Sequence, residues 1–224
     1  GNATLNGISL GRGLGNVATN TVVGNNALDA NTTGANNVAI GDEALTANTS
    51  GGSNTAVGSR ALDANTTGGS NVAVGQGALG ANSTASKNTA VGKSALEVNT
   101  TGVRNVAVGA NALDANTTAN DITAVGSDCL TNHTTGTENT AVGSSALFTC
   151  TTGASNAAVG KGSMANLTNG SQNTAVGKGS LNKNSTASNN TAVGYNSLEA
   201  TTTGAKNVAV GVAALDSNTT ASNN

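Results

Sequence analysis

His133 and Cys150 are the side chains in this sequence best suited to act together, an imidazole and a thiol seventeen residues apart. Such a pair can generate a thiolate nucleophile or hold a soft metal. A catalytic triad or a zinc site needs more convergent ligands than one histidine and the two cysteines Cys129 and Cys150 provide. The residues therefore predict substitution at a solvent-facing corner, with Cys129 filling a buried position that wants a small side chain. A Cys129 to Cys150 bridge is not expected, because the two occupy different positions of the repeat described below. Asp29, Asp63, Glu97, Asp114, Glu199 and Asp216 share one repeat position, usually with neutral residues between them, as like-charge repulsion in a ladder would favour. Calcium-binding rolls need runs of glycine and regular aspartate that are missing, and no phosphate loop is present. The reading is of no enzyme, no cofactor and no metal. One modification is invited: Asn31, Asn65, Asn99, Asn116 and Asn218 each have an acidic residue two before and threonine two after, an extended N-glycosylation acceptor pattern. The threonine pairs beside them could carry O-linked sugars.

These residues are placed by a repeat. From Asn20 twelve consecutive units of 17 residues run to Asn223 without insertion or deletion, and Asn224 has the phase of a thirteenth. Position five is glycine in every unit, at Gly24, Gly41, Gly58, Gly75, Gly92, Gly109, Gly126, Gly143, Gly160, Gly177, Gly194 and Gly211. That column predicts a turn with positive φ or a close approach by a neighbouring coil. Position fifteen alternates between glycine (Gly34, Gly51, Gly68) and alanine (Ala85, Ala119, Ala187, Ala221), which suits a small side chain rather than a forbidden backbone. Position four is Val or Ile, position three is Ala in eleven units, position eight is Ala, Ser or Cys129, and position nine is Leu except at Met164. In a strand TAVG the second and fourth residues face one way and the third the other, so both faces are expected to touch something. The following segment, GxxALxxN, is too short for a real helix. A second short strand after a corner is expected there, with one helical turn as the alternative.

Stacked coils of this kind make an all-β, parallel β-solenoid, and twelve coils at about 4.8 Å spacing would form a rod about 58 Å long. Position one is asparagine in every unit but that of Ile122, and position twelve is asparagine in eight of twelve. Asparagine at corners tolerates left-handed backbone and can bond to its own kind one coil away. A lone thin coil buries too little apolar area to offset the ordering of its residues, so one strand face is expected to pack against copies of the same chain about an axis.

Composition narrows the partners. With 9% charged and 1% aromatic residues, no proline and a net charge of -2, nothing points to nucleic acid or an anionic membrane. No run of 18 apolar residues exists to cross a bilayer as a helix, so no membrane insertion is expected in this segment. The chain opens with glycine and has no charged-then-apolar leader, so any targeting segment is expected to have been removed or to lie outside this sequence. Residues 1–19 break the period, and GISLGRGLGNVAT reads as a shortened coil, a starting cap or junction to the repeat domain at 20–224. No polar capping repeat closes the other end, which suggests a window cut from a longer protein or end-to-end stacking.

The units NVAIG, NVAVG and NTAVG resemble the head repeats of trimeric autotransporter adhesins, whose motif is close to NSVAIG. The resemblance covers about nine tenths of the chain, through five or six residues in each unit, and the period here is longer. The long form NTAVGxxALxxNTTG, preceded by GRGLGNVATNT, also resembles repeats of phage tail fibres and of long surface proteins of aquatic bacteria. The resemblance implies a left-handed β-roll, a homotrimer, and the structural and adhesive part of a fibre at the cell surface or on a virion tail, meeting a host-surface or matrix receptor. Two other extracellular roles remain open, an ice-binding β-solenoid and a self-assembling glycosylated filament. Against the first stands the pair Thr32 and Thr33, neighbours that should face opposite ways, so that no Thr-x-Thr array forms there.

Overall fold

A computed structural model describes residues 3–5 and 8–224. Among these no helix occurs. The chain divides into two compact units, Gly1–Asn111 and Ala112–Asn224. Residues 1, 2, 6 and 7 of the expected N-terminal cap lie outside the described residues.

In the first unit, β1 (Ala3–Leu5) and β2 (Ile8–Gly11) run antiparallel to each other, and β2 runs antiparallel to β3 (Thr21–Val23). From β3 onward the sheet is parallel, through β4 (Val38–Ile40), β5 (Thr55–Val57), β6 (Val72–Val74), β7 (Thr89–Val91) and β8 (Val106–Val108). Every pair is offset by one repeat, as in Thr55↔Val72 and Val57↔Val74. Residues 12–19 lie against the first coil: a Cβ built on Gly15 would meet the carbonyl oxygens of Asn31 and Thr32, and the Asn36 N–H donates to Thr19 Oγ1.

The second unit repeats the arrangement with β9 (Thr123–Val125), β10 (Thr140–Val142), β11 (Ala157–Val159), β12 (Thr174–Val176), β13 (Thr191–Val193) and β14 (Val208–Val210), all parallel and in register. Each unit is a parallel β-solenoid with one three-residue strand per 17-residue coil.

The segment expected to form a second strand does not. It is a pair of tight turns, closed in the second coil by Ala44 N–H donating to Gly41 O and Asn48 N–H donating to Leu45 O. The residues at positions seven and nine take left-handed backbone: Glu43 has φ +56 and Leu45 has φ +55. Position nine spans φ +48 to +57 from Leu28 to Leu215, Met164 included. The alternation of an extended strand is thus impossible, yet coil-to-coil bonding continues, with Leu45 N–H donating to Ala61 O and Ala47 N–H to Asp63 O. Left-handed leucine is uncommon. Here it turns the largest apolar side chain of the coil wholly inward, at 0% exposure from Leu28 to Leu198.

The interior is narrow. Opposite the leucines sit the position-three alanines, buried in both units, while the bulkier position-four residue points out. Little space is left between the strand and the leucine column, which favours alanine facing in, although Val22 is accommodated in the first coil. Most of the remaining interior volume belongs to asparagine, buried at positions one and twelve wherever it has a coil on both sides.

The position-five glycines have φ between +131 and +145, outside what side-chain-bearing residues adopt. They also touch: a Cβ on Gly126 would lie 2.6 Å from the carbonyl carbon and oxygen of Gly143. Gly34, Gly51 and Gly68 at position fifteen have no such backbone.

Candidate functional site

In most coils two asparagines converge on one atom. At position one, Asn54 Nδ2 donates to Gly68 O at 2.9 Å, and at position twelve, Asn65 Nδ2 donates to the same oxygen at 3.0 Å. The Asn54 backbone N–H in turn donates to Oδ1 of Asn37, one coil back, at 2.9 Å, and Asn65 Nδ2 also reaches Oδ1 of Asn48 at 2.8 Å. A buried amide must satisfy its groups or cost stability, and this double ladder supplies protein partners for them.

That geometry corrects the sequence-based view of position twelve as a solvent-facing corner. His133 and Cys150 are 0% exposed and occupy the interior asparagine position. His133 Nε2 lies 2.5 Å from Gly136 O and replaces the missing amide donor, whereas Cys150 Sγ makes only a long contact of 3.8 Å to Gly153 O. Burial pushes the Cys150 thiol up to about 11 and the Cys129 thiol up to about 12, so neither is a ready thiolate at neutral pH. Cys129 points its Sγ at Ala141 O, 3.3 Å away, and both cysteines are free thiols. Burial likewise lowers the proton affinity of His133, against smaller opposing effects from the Gly136 and Cys150 backbone. Among the described residues no group of three or more His, Cys, Asp or Glu could hold a metal ion.

The same ladder decides the N-glycan acceptors. Asn31, Asn65, Asn99 and Asn116 are 0% exposed, and their Nδ2 atoms donate to Gly34, Gly68, Gly102 and Ala119 carbonyls. A glycan would occupy the nitrogen that the fold points inward, so the folded chain cannot carry one at these four. Asn218 Nδ2 makes the equivalent bond to Ala221 O at 3.2 Å but is half-exposed. The two threonines that follow have different fates. Position thirteen caps the backbone of the next coil, as where Thr66 Oγ1 donates to Ser83 O at 3.1 Å and Thr168 Oγ1 to Ser185 O at 2.8 Å. Position fourteen, Thr33, Thr67, Thr84 and their equivalents, is exposed.

Each unit has one strongly patterned face. Strand positions two and four point outward together and carry no charge in any of the twelve coils. Position four offers Val or Ile with 36 to 39% exposure at Ile40, Val142, Val159, Val176 and Val193. Position two offers Thr at Thr55, Thr89, Thr123 and Thr174, and Val at Val38, Val72 and Val106. Charges sit on the turns instead. Arg60 Nε donates to Glu43 Oε2 at 2.8 Å across one coil, and Lys178 lies 5.7 Å from the Tyr195 ring centroid. Where Gly77 and Gly80 leave out two side chains, a notch of about 340 Å³ opens between Arg60 and Asp63 on one wall and Glu97 on the other. Partial burial raises the Asp63 pKa, and Arg60 opposes it. Sequence reasoning expected the asparagine ladder but set it at corners rather than in the interior. A signal was there: the replacements Cys150 and Leu167 at position twelve are apolar, as at an interior site.

No family model, no curated protein and no solved structure matches this chain.

Proposed function

We propose that this chain is the structural and adhesive repeat region of an extracellular fibre, at a cell surface or on a virion tail, assembled as a homotrimer. The observation that carries the proposal is the outward strand face, uncharged in every coil and β-branched at every position but Ala157, where a solvated sheet face would carry charges. Copies of the chain bury that face against one another about an axis, and the number three comes from the adhesin-like NVAVG units. The polar turns and threonine columns then face outward, where a host-surface or matrix receptor would be met. Sedimentation equilibrium tests the assembly: a folded species near 21.3 kDa at micromolar concentration rejects it, and a mass three times larger supports it. Val142→Lys and Val159→Lys, on the outward face, should then dissociate the assembly.

A second reading has its own observation. Thr55 and Val57, and their equivalents, stand side by side on a parallel, in-register face, an array suited to ordering water in an ice lattice. Thermal hysteresis of purified protein distinguishes this ice-binding solenoid from the fibre.

A further inference from the structure

We infer that the coil carrying His133 is an acid-sensitive seam in the second unit. In this coil both interior amides are replaced, position one by Ile122 and position twelve by His133, and both side chains are 0% exposed. Ile122 has no donor, so Nε2–H of His133 is the side-chain donor given to Gly136 O in place of two amides. That bond fixes the tautomer: Nδ1 carries the lone pair. Nδ1 is buried and has no hydrogen-bond partner. Protonation would place a second N–H and a full charge at this buried atom, where the Cys150 backbone gives less relief than burial costs, inside a column otherwise made of neutral side chains.

The groups around it do not relieve this. The titratable side chains among the interior positions of this coil and the next are Cys129 and Cys150, whose raised values keep them neutral thiols in mild acid. Asp114, Asp121, Asp128 and Glu138 belong to the same stretch but stand at half-exposed or exposed positions. Burial is the largest influence on His133, and what opposes it comes from the Gly136 and Cys150 backbone. The next coil cannot share the load, because Cys150 and then Leu167 interrupt the position-twelve ladder again.

The direction follows from linkage. The folded value is depressed, so stability is complete above the free imidazole value of about 6.5 and falls as pH drops below it, until the folded value is reached. Within that window each pH unit raises local opening about tenfold, equivalent to about 1.4 kcal/mol. The chain has no other histidine.

Hydrogen exchange of the full chain, corrected for intrinsic rates, is the test. As pH falls below about 6.5 the amides of residues 122–150 should open more often, by up to about tenfold per pH unit, while those of residues 37–65 hold. His133→Asn restores the column's usual residue and should abolish the difference. The inference is overturned if the wild-type seam shows no added opening in acid, or if His133→Asn opens with the same pH dependence.

Discussion

Position twelve is filled differently in the two units. In the first, Asn31, Asn48, Asn65, Asn82 and Asn99 form an unbroken line, each Nδ2 reaching the preceding Oδ1 at 2.8 to 3.1 Å. In the second, the same column reads Asn116, His133, Cys150, Leu167, Asn184, Thr201, Asn218. The second unit still folds into the same coils because the two amides of a coil share one acceptor. Where Leu167 gives no donor, Asn156 Nδ2 still reaches Gly170 O at 2.9 Å, and where Cys150 gives only a weak one, Asn139 Nδ2 serves Gly153 O at 2.6 Å. Where position one fails, at Ile122, position twelve is His133 and donates by Nε2. No described coil loses both. Position twelve is therefore an insured position, replaceable by anything that fills its volume, while position one also accepts the backbone N–H of the next coil and carries the continuity of the stack.

The comparison can be broken most severely where neither amide helps. Gly126→Val forces a β-branched residue to φ +137 with its Cβ 2.6 Å from Gly143, at a cost of about 4 kcal/mol or more. Limited proteolysis should cut near residue 126 and leave resistant fragments; resistance equal to the parent's would mean the glycine contact is not needed. Asn156→Leu comes next. It leaves Gly170 O with neither amide and strips the acceptor from the Asn173 N–H, costing about 2 to 4 kcal/mol. By contrast Asn82→Leu, in the intact ladder, should cost about 1 to 2 kcal/mol, because Asn71 Nδ2 still donates to Ala85 O. Denaturant titration of the two variants reads the gap, and equal losses would erase the distinction between positions one and twelve. The threonine pair sharpens the picture on a smaller scale. Thr66→Val loses the bond to Ser83 O and about 1 kcal/mol, while Thr67→Val should stay within about 0.5 kcal/mol. Ala119→Gly, at the permissive position fifteen, should also cost about 1 kcal/mol or less in the same titration.

The period, the strand and the stacking were legible because they depend on spacing: a fixed 17-residue unit with VAVG or TAVG at one phase permits little else. Direction was less legible. Alternation says that Ala39 and Ile40 face opposite ways but not which is inside, and here the narrow bore admits the smaller one. The leucine turn was illegible for another reason. Intrinsic preferences argue against Leu45 at φ +55; the bonds from Leu45 N–H to Ala61 O and from Asn48 N–H to Leu45 O, with burial of its side chain, hold it there. Asparagine at position twelve misled because its preference for turns is real; the residue does sit beside a turn, but with its amide directed at Gly68 O and its equivalents rather than at water.

The left-handed leucines bear on how the chain folds in time. Each costs on the order of 1 to 2 kcal/mol in backbone energy, and the bonds that offset this come from the adjoining coil. A single unit alone would have the strain without the compensation. Once one coil stands, it presents Ala61 O, Asp63 O and their equivalents as a ready template on which the next stretch of chain can settle. Order in each unit thus spreads from a costly first nucleus by successive addition, one repeat at a time, and the rate-limiting event is making the first pair of coils rather than any later one.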